Sequence, residues 1–273
     1  MGGAREPLRV AVGGLGAIGM AVARALDGGI EGLSLTAVSA RDRDAAAARM
    51  DGFGRRVPVL PLGELAGVAD VVVECAPAAA FDEVARPAIE AGRTLVTVSV
   101  GALLPRMDLV ERARATGGRI VVPSGALLGL DAVRAAAEGT VHSVRLITRK
   151  PPRGLEGAPY LVERGTDLRD LKEPLRVFEG NALEGARGFP ANVNVAAALG
   201  LAGIGPERTR LEIWADPTVT RNTHRIVVEA DAARFEMVIE NVPSEENPRT
   251  GRLTPLSVIA TLRGLTAPLR VGG

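Results

Sequence analysis

Val12-Gly13-Gly14-Leu15-Gly16-Ala17-Ile18-Gly19 decides how this chain is read. The stretch follows a short apolar run, Leu8–Val12, and opens a segment, Ile18–Leu26, whose apolar residues recur at helical spacing. Strand, glycine loop, helix is the setting in which G-x-G-x-x-G has a physical meaning. Gly14 permits the tight turn, Gly16 lets a pyrophosphate approach the backbone, and Gly19 lets the helix pack closely on the strand. The helix start, with Ala17 and Ile18, turns N–H groups and a positive dipole end towards the phosphates. Gly14, Gly16, Ala17, Ile18 and Gly19 therefore predict a dinucleotide site. A glycine-rich turn without a ligand is the competing reading.

The bulk properties narrow the rest. A chain of 273 residues, 47% hydrophobic and 24% charged, suits one large or two modest soluble domains. Net charge is +1, which favours neither nucleic acid nor a membrane surface as partner. Met1–Pro7 carries an acid and has no apolar core, unlike a signal peptide, and no run of about 18 apolar residues is present to span a bilayer. The one cysteine forms no intrachain disulfide and agrees with a cytoplasmic setting. Cys75 with two histidines makes no Cys/His zinc site, so no metal is expected.

Alternating elements follow the glycine loop. Leu33–Ser39, Asp70–Cys75, Thr94–Val98 and Arg119–Val122 read as strands, with a charged turn at Arg41-Asp42-Arg43-Asp44 and helices over Ala78–Ala91 and Pro105–Thr116. Apolar strands spaced by helices predict a doubly wound parallel (Rossmann) sheet over residues 1–124. Beyond Pro123-Ser124-Gly125 the pattern changes. After a helix over Gly129–Ala137 come strand-like runs at Ser143–Arg149, Arg176–Phe178, Arg208–Ala215, Arg225–Ala230 and Arg234–Asn241, with one helix at Val193–Leu201. They predict a second, α+β domain over 125–243 with a mixed or antiparallel sheet. Pro151–Pro174 has little periodicity and reads as a long excursion or lid. Thr254-Pro255 reads as N-cap and first position of a terminal helix, within a 244–273 segment that returns to the first domain.

The choice of nucleotide lies at the end of the second strand. A ribose-binding acid is expected about 20 residues beyond the glycine loop. That place holds Ser39-Ala40-Arg41-Asp42. The Ser39 hydroxyl and Arg41 guanidinium suit a 2′-phosphate, and Asp42 serves NAD if the turn is one step longer. The residues lean towards NADP or dual use, with NAD open and Arg41 as a solvated turn charge the alternative.

Few groups titrate near neutral pH. His142, in Gly139-Thr140-Val141-His142-Ser143, reads as a surface turn residue. His224 ends the polar stretch Asp216–Thr223 between two strand-like runs. On spacing alone an ordinary loop histidine is favoured over a general acid or base. Cys75 invites a thiol nucleophile, but the adjacent Glu74 would raise its pKa, so packing beside the nucleotide site is favoured. In Phe189-Pro190-Ala191-Asn192-Val193-Asn194, Asn192 is a natural N-cap. Asn194 either caps or offers its amide to a nicotinamide or substrate.

Taken together, several stretches resemble the L-aspartate dehydrogenase family. They are Gly14–Gly19, Val73-Glu74-Cys75-Ala76, Val98–Ala102, Pro123–Ala126 with Gly129-Leu130-Asp131, and Arg149-Lys150-Pro151-Pro152. Phe189–Ala197, Ala215-Asp216-Pro217, Asn222, His224 and Asn247-Pro248-Arg249-Thr250 follow in family order. The resemblance implies NAD(P)-dependent oxidative deamination of L-aspartate to iminoaspartate, which hydrolyses to oxaloacetate and ammonia or feeds NAD biosynthesis. It implies nucleotide contacts at Ala126 and Asn194, with Ala76 beside them, the active-site histidine at His224, and a homodimer. Lys150, Arg149 and Arg221 are candidate cations for the substrate carboxylates by position, each with a solvated charge as the alternative. Ser124 and Asn222 are further candidate substrate contacts, and Ser124 and Gly125, at a strand-to-helix switch, offer backbone donors near the nicotinamide. The excursion after Pro152 matches the family less well. Competing readings are a reductase for another small dicarboxylate or imine, and an NAD(P)-binding regulator without chemistry.

Overall fold

The computed structural model describes residues 6–190, 193–244 and 250–272. The readings placed on the residues before Glu6, on Asn192 and on Asn247-Pro248-Arg249 lie outside the described residues. The chain divides into two compact units. One runs to Gly125 and takes up Thr254–Val271, and the other is Ala126–Leu253.

In the first unit, β1 (Leu8–Gly13), β2 (Leu33–Ser39), β3 (Val71–Glu74), β4 (Thr94–Thr97) and β5 (Arg119–Val121) form a sheet in the order β2-β1-β3-β4-β5. Every pairing in it is parallel. Parallel strands need crossovers, and helices Ala17–Asp27, Phe81–Glu90 and Asp108–Thr116 supply three of them. Strands in such a sheet are buried on both faces. That is why β3 reads as an unbroken apolar run ending in a carboxylate, with all four residues buried. Val10, Val12, Val22, Leu26, Val38, Val73, Val96, Val258 and Leu262 make the core, so the terminal helix Leu253–Thr266 packs with this unit. The helix begins at Leu253, which places Thr254 inside the first turn and corrects its reading as N-cap. The charged turn is also shorter than read. Asp42 caps helix Arg43–Arg49 by accepting from the Ala45 N–H at 2.9 Å.

The second unit holds β6 (Val141–Lys150), β7 (Leu175–Asn181), β8 (Thr209–Ala215), β9 (Asn222–Ala230) and β10 (Arg234–Asn241) in the order β10-β9-β6-β8-β7. Only β6 and β8 run parallel, so the sheet is mixed. On β6, buried Val144, Leu146, Thr148 and Lys150 alternate with more exposed neighbours, the period-two signature of a sheet covered on one face. Helices Leu130–Ala137, Ala182–Gly188 and Asn194–Ala202 belong to this unit. The sequence reading missed Ala182–Gly188, which is short and announced mainly by its capping box of Asn181 and Glu184.

The excursion after Pro151 is not a bare lid. It folds a turn at Pro152–Gly154 and a helix at Pro159–Glu163, and it buries Leu155, Ala158, Leu161 and Leu168 in the second core. Tyr160 meets Phe178 edge-on at 5.3 Å and Phe189 at 5.4 Å. An aromatic cluster of that kind holds the segment by packing rather than by helical periodicity.

Candidate functional site

The glycine loop lies at the carboxyl ends of β1 and β3, where the strand order reverses. Crevices at that point of an open parallel sheet are where ligands bind. Gly14 has a φ of +102°, and a Cβ there would stand 2.7 Å from the Cys75 carbonyl oxygen and 2.9 Å from the Ala76 nitrogen. The turn therefore lies directly against the exit of β3, which brings Gly14 and Ala76 together. A Cβ on Gly19 would fall 1.7 Å from the Gly14 carbonyl oxygen, so the helix and loop touch backbone to backbone. Gly16 is different. It caps helix Ala17–Asp27 with an ordinary φ of −71°, and a Cβ built there meets nothing within 4 Å. Open space over a helix N-terminus, walled by two glycines that only hydrogen can satisfy, fits a dinucleotide pyrophosphate. Arg49 donates to the Leu15 carbonyl at 2.7 Å and ties the loop to the helix after β2.

At the end of β2, Ser39 is buried and its carbonyl accepts from the Gly14 N–H. Arg41 is exposed beyond it. Asp42, the acid that could have served a ribose, is engaged as a helix cap. Ser124 is half-buried, while the Gly125 N–H donates to the Ser257 hydroxyl at 3.0 Å. Gly125 is thereby corrected as a free backbone donor. The segment is also a loop rather than a strand-to-helix switch, because the next helix begins at Leu130.

Glu74, weighed in sequence only as a neighbour of Cys75 and as part of the Val73–Ala76 stretch, has a role of its own that escaped that reading. Its carboxylate is fully buried and accepts from the Thr97 hydroxyl at 2.7 Å, the Ser99 hydroxyl at 2.9 Å and the Ser99 N–H at 3.2 Å. Burial still raises its pKa, against those hydrogen bonds. The group fastens the exits of β3 and β4 to each other. An acid ending an apolar run was the signal available in sequence. Burial, and then Glu74, push the Cys75 thiol well above its ordinary value, so Cys75 is no thiolate nucleophile.

In the second unit the register of two strands builds a constellation of its own. Thr148 on β6 lies opposite His224 on β9. Opposed residues in an antiparallel pair share a face, and the Thr148 hydroxyl is 3.0 Å from His224 Nδ1. Lys150, two residues on from Thr148, shares that face and is 6% exposed; His224 is 2% exposed. Burial first, and then the charge of Lys150, push His224 down to about 3. Burial alone brings Lys150 down to about 8. The ring is thus neutral at physiological pH, next to an amine poised near it. Histidine reached this place because β9 starts at Asn222, so His224 is a strand residue and not the loop residue that spacing favoured. His142 is likewise in a strand, exposed and 2.6 Å from Asp231.

The other second-unit residues are placed as follows. Asn222, half-buried, opens β9 opposite Asn241 on β10. The buried Asn241 donates through Nδ2 to the Ala126 carbonyl at 3.0 Å, tying Ala126 to these strand ends. Arg221 is exposed just before β9. Arg149 is not available for a substrate carboxylate. It donates to the buried Asp216 at 2.9 Å and stacks over Trp214 at 4.7 Å. Asn194 is exposed in the first turn of helix Asn194–Ala202, whose cap is Val193. Among the described residues, no group of three or more His, Cys, Asp and Glu is placed to hold a metal ion. No helix among them is long and apolar enough to cross a membrane.

Comparison with known proteins agrees with both halves. A family model described as homoserine dehydrogenase, NAD binding domain, matches residues 14–123, and one described as aspartate dehydrogenase, C-terminal, matches residues 131–265. The chain is 58% identical to an L-aspartate dehydrogenase of Bradyrhizobium diazoefficiens over 98% of its own length and 95% of the relative's. It is 55% identical to L-aspartate dehydrogenase 3 of Bordetella bronchiseptica, with 98% of each chain covered. An aspartate dehydrogenase of Thermotoga maritima has a similar crystal structure, with a TM-score of 0.75, 26% identity, and 97% and 99% of the two chains covered. The glycine loop, built for a nicotinamide dinucleotide, and the buried histidine face thus stand in a chain that belongs to the L-aspartate dehydrogenase family, an amino-acid dehydrogenase among the oxidoreductases.

Proposed function

We propose that this protein oxidises L-aspartate to iminoaspartate with NAD or NADP as hydride acceptor, the imine then hydrolysing to oxaloacetate and ammonia or entering NAD biosynthesis. The observation that carries the reading is the pairing of a neutral, buried His224 with a buried Lys150 on one sheet face. A dicarboxylic amino acid needs cations for its carboxylates and a proton acceptor for its nitrogen, and this face offers both kinds of group. Lys150, Asn222 and the exposed Arg221 are the proposed substrate contacts of the second unit, and Ser124 that of the first. His224, whose Nδ1 is held by Thr148, is the proposed catalytic residue, its other ring nitrogen serving the reacting centre. A neutral ring there orients the water that hydrolyses the imine and exchanges a proton with it.

When bound, the nicotinamide supplies the hydride acceptor, and such a transfer needs donor and acceptor carbons about 3–3.5 Å apart. Gly14, Gly16, Ala17, Ile18 and Gly19 would hold the pyrophosphate, Ala76 would line the same crevice, and Ala126 and Asn194 would contact the nucleotide. Residues 1–124 are proposed as the dinucleotide-binding domain, 125–243 as the catalytic one, and 244–273 as the returning segment. A cytoplasmic homodimer is the proposed working state. The test is the near-ultraviolet absorbance of reduced nicotinamide with aspartate, glutamate, malate and alanine in turn. Aspartate should give the fastest reduction. No reduction with aspartate, and no oxidation with oxaloacetate plus ammonia, defeats the reading.

For the nucleotide we propose NADP or dual use. Asp42 is occupied as a cap, and exposed Arg41 is the group nearest the expected ribose position in sequence. Arg41→Ala should weaken NADP at least about tenfold, roughly 1.4 kcal/mol, and leave NAD within about twofold. Equal losses in a binding titration with the two cofactors would mark Arg41 as a surface charge only.

A further inference from the structure

We propose that Glu74 is the counter-charge of the oxidised nicotinamide, a buried carboxylate that makes the first unit bind the oxidised cofactor in preference to the reduced one. The inference rests on the nicotinamide part of the proposed function and not on aspartate. Its ground is where the sheet puts this side chain. In the order β2-β1-β3-β4-β5, the strand order reverses between β1 and β3. A doubly wound sheet holds one mononucleotide on each side of that point. The adenosine ribose belongs at the end of β2, so the nicotinamide half belongs over the exits of β3 and β4. Glu74 is the last residue of β3, in register with Thr97, the last of β4.

The surroundings hold this group as a carboxylate. The Thr97 hydroxyl and the Ser99 N–H both donate to Oε2, and the Ser99 hydroxyl donates to Oε1. The Ala76 N–H is a further donor. A Cβ on Gly14 would approach that same Ala76 nitrogen to 2.9 Å, so one amide stands between the carboxylate and the glycine loop. These donors are neutral hydroxyls and amides. Each of them, by giving a proton to the carboxyl oxygens, favours the ionised form against the effect of burial. Residues 71–80, 97–105 and 121–125 follow the chain out of β3, β4 and β5, and Glu74 is the one Asp, Glu, Lys, Arg or His among them. The neighbouring Cys75 thiol stays neutral, its pKa raised by burial and by Glu74. A charge buried in this way is screened less than one in water, and it acts over several ångströms.

Oxidised and reduced nicotinamide differ in charge. The oxidised ring is positive, and the hydride that reduces it leaves it neutral, so a fixed carboxylate tells the two apart by charge alone. In the direction of substrate oxidation it draws in the oxidised cofactor and lets the reduced one go. No bond to Glu74 forms or breaks, and the residue sets specificity rather than catalysing. A strut between β3 and β4 would use the same hydrogen bonds. It would treat the two redox forms alike, because they share the pyrophosphate and both riboses.

The experiment titrates the full chain, without substrate, with NAD+ and NADH and with NADP+ and NADPH. It reads the ratio of the two Kd values within each pair. Glu74→Gln keeps the length of the side chain and removes the charge. Its oxygen can still accept from the Ser99 N–H, and its amide can donate to the Ser99 hydroxyl, which turns to accept. Kd for the oxidised form should rise about tenfold, while Kd for the reduced form moves by less than about threefold. The free variant should melt no lower than wild type, since it buries one charge fewer. Glu74→Asp keeps the charge but shortens the reach to Thr97 and Ser99. It should hold the ratio within about threefold of wild type even where both Kd values rise. Equal weakening of the two redox forms in Glu74→Gln overturns the proposal and leaves a strut. So does a Glu74→Asp variant that loses the ratio as fully as Glu74→Gln. A wild type that binds none of the four nucleotides overturns the cofactor reading, and this role with it. A wild type that binds them, with the expected shift in Glu74→Gln, yet does not oxidise aspartate defeats the aspartate reading alone.

Discussion

Gly19→Ala should abolish cofactor binding and destabilise the first unit, whereas Gly16→Ala should abolish binding alone. The contrast follows from where a methyl group would go. At Gly19 it would stand 1.7 Å from the Gly14 carbonyl oxygen and 2.9 Å from its carbon, both backbone atoms of a turn that itself abuts Cys75 and Ala76. Overpacking a core costs about 1–3 kcal/mol when side chains can adjust. Here the loop must leave β3 or the helix must leave β1, so the loss should reach at least about 3 kcal/mol. At Gly16 the added methyl meets nothing within 4 Å and the backbone is in an ordinary conformation, so the free protein should melt as wild type. Its methyl would instead fill the open space above the helix start, and cofactor Kd should rise at least about a hundredfold, roughly 2.7 kcal/mol. Thermal denaturation and cofactor titration on both variants check the pair. If Gly16→Ala binds as wild type, the pyrophosphate does not pass over this helix start.

How much of this was legible in the sequence depends on the range of the interactions involved. The first unit was legible because parallel strands buried on both faces announce themselves as apolar runs, and the glycine loop fixes where the first crossover begins. Fold class followed for the second unit too, from β-branched content and spacing. Individual roles there did not follow, because they depend on register. Thr148, Lys150 and His224 converge only once β6 is paired with β9, a contact between residues 76 positions apart for Thr148 and His224. Period two along β6 would have put Thr148 and Lys150 on one face, but nothing local says which strand lies opposite. Arg149 shows the reverse error. It looked like a substrate cation by charge and position, and the fold commits it to Asp216 and Trp214. The segment after Pro151 could be read only as a long excursion or lid, because its anchors are aromatic and leucine contacts with no regular spacing.

His224→Ala should lower kcat for aspartate oxidation by about three orders of magnitude, at the upper part of the range for loss of an acid–base group, while cofactor Kd changes less than about threefold. The glycine loop and His224 belong to different compact units, and the pyrophosphate contacts proposed for the loop do not include the histidine. What it removes is a neutral ring fixed at Nδ1 by Thr148, and with it the proton exchange and water orientation proposed for the imine. The wild-type pH profile carries a second expectation. With His224 down at about 3, its ionisation should leave no limb between pH 6 and 7 in kcat/KM. Stability should show the same group with a definite sign. Unfolded histidine binds a proton near pH 6.5, and the buried ring does so only near 3. The unfolded chain therefore holds more protons throughout that window, and acidification from pH 6.5 to 3 should destabilise the fold. In His224→Ala that contribution disappears, so part of the acid sensitivity should be lost together with the turnover. Steady-state kinetics and denaturant unfolding across that pH range measure both effects. Wild-type turnover in the variant would remove His224 from the reaction. An unchanged acid slope would mean instead that the ring takes up its proton in the folded protein as readily as in the unfolded one, against the effect of burial and of Lys150.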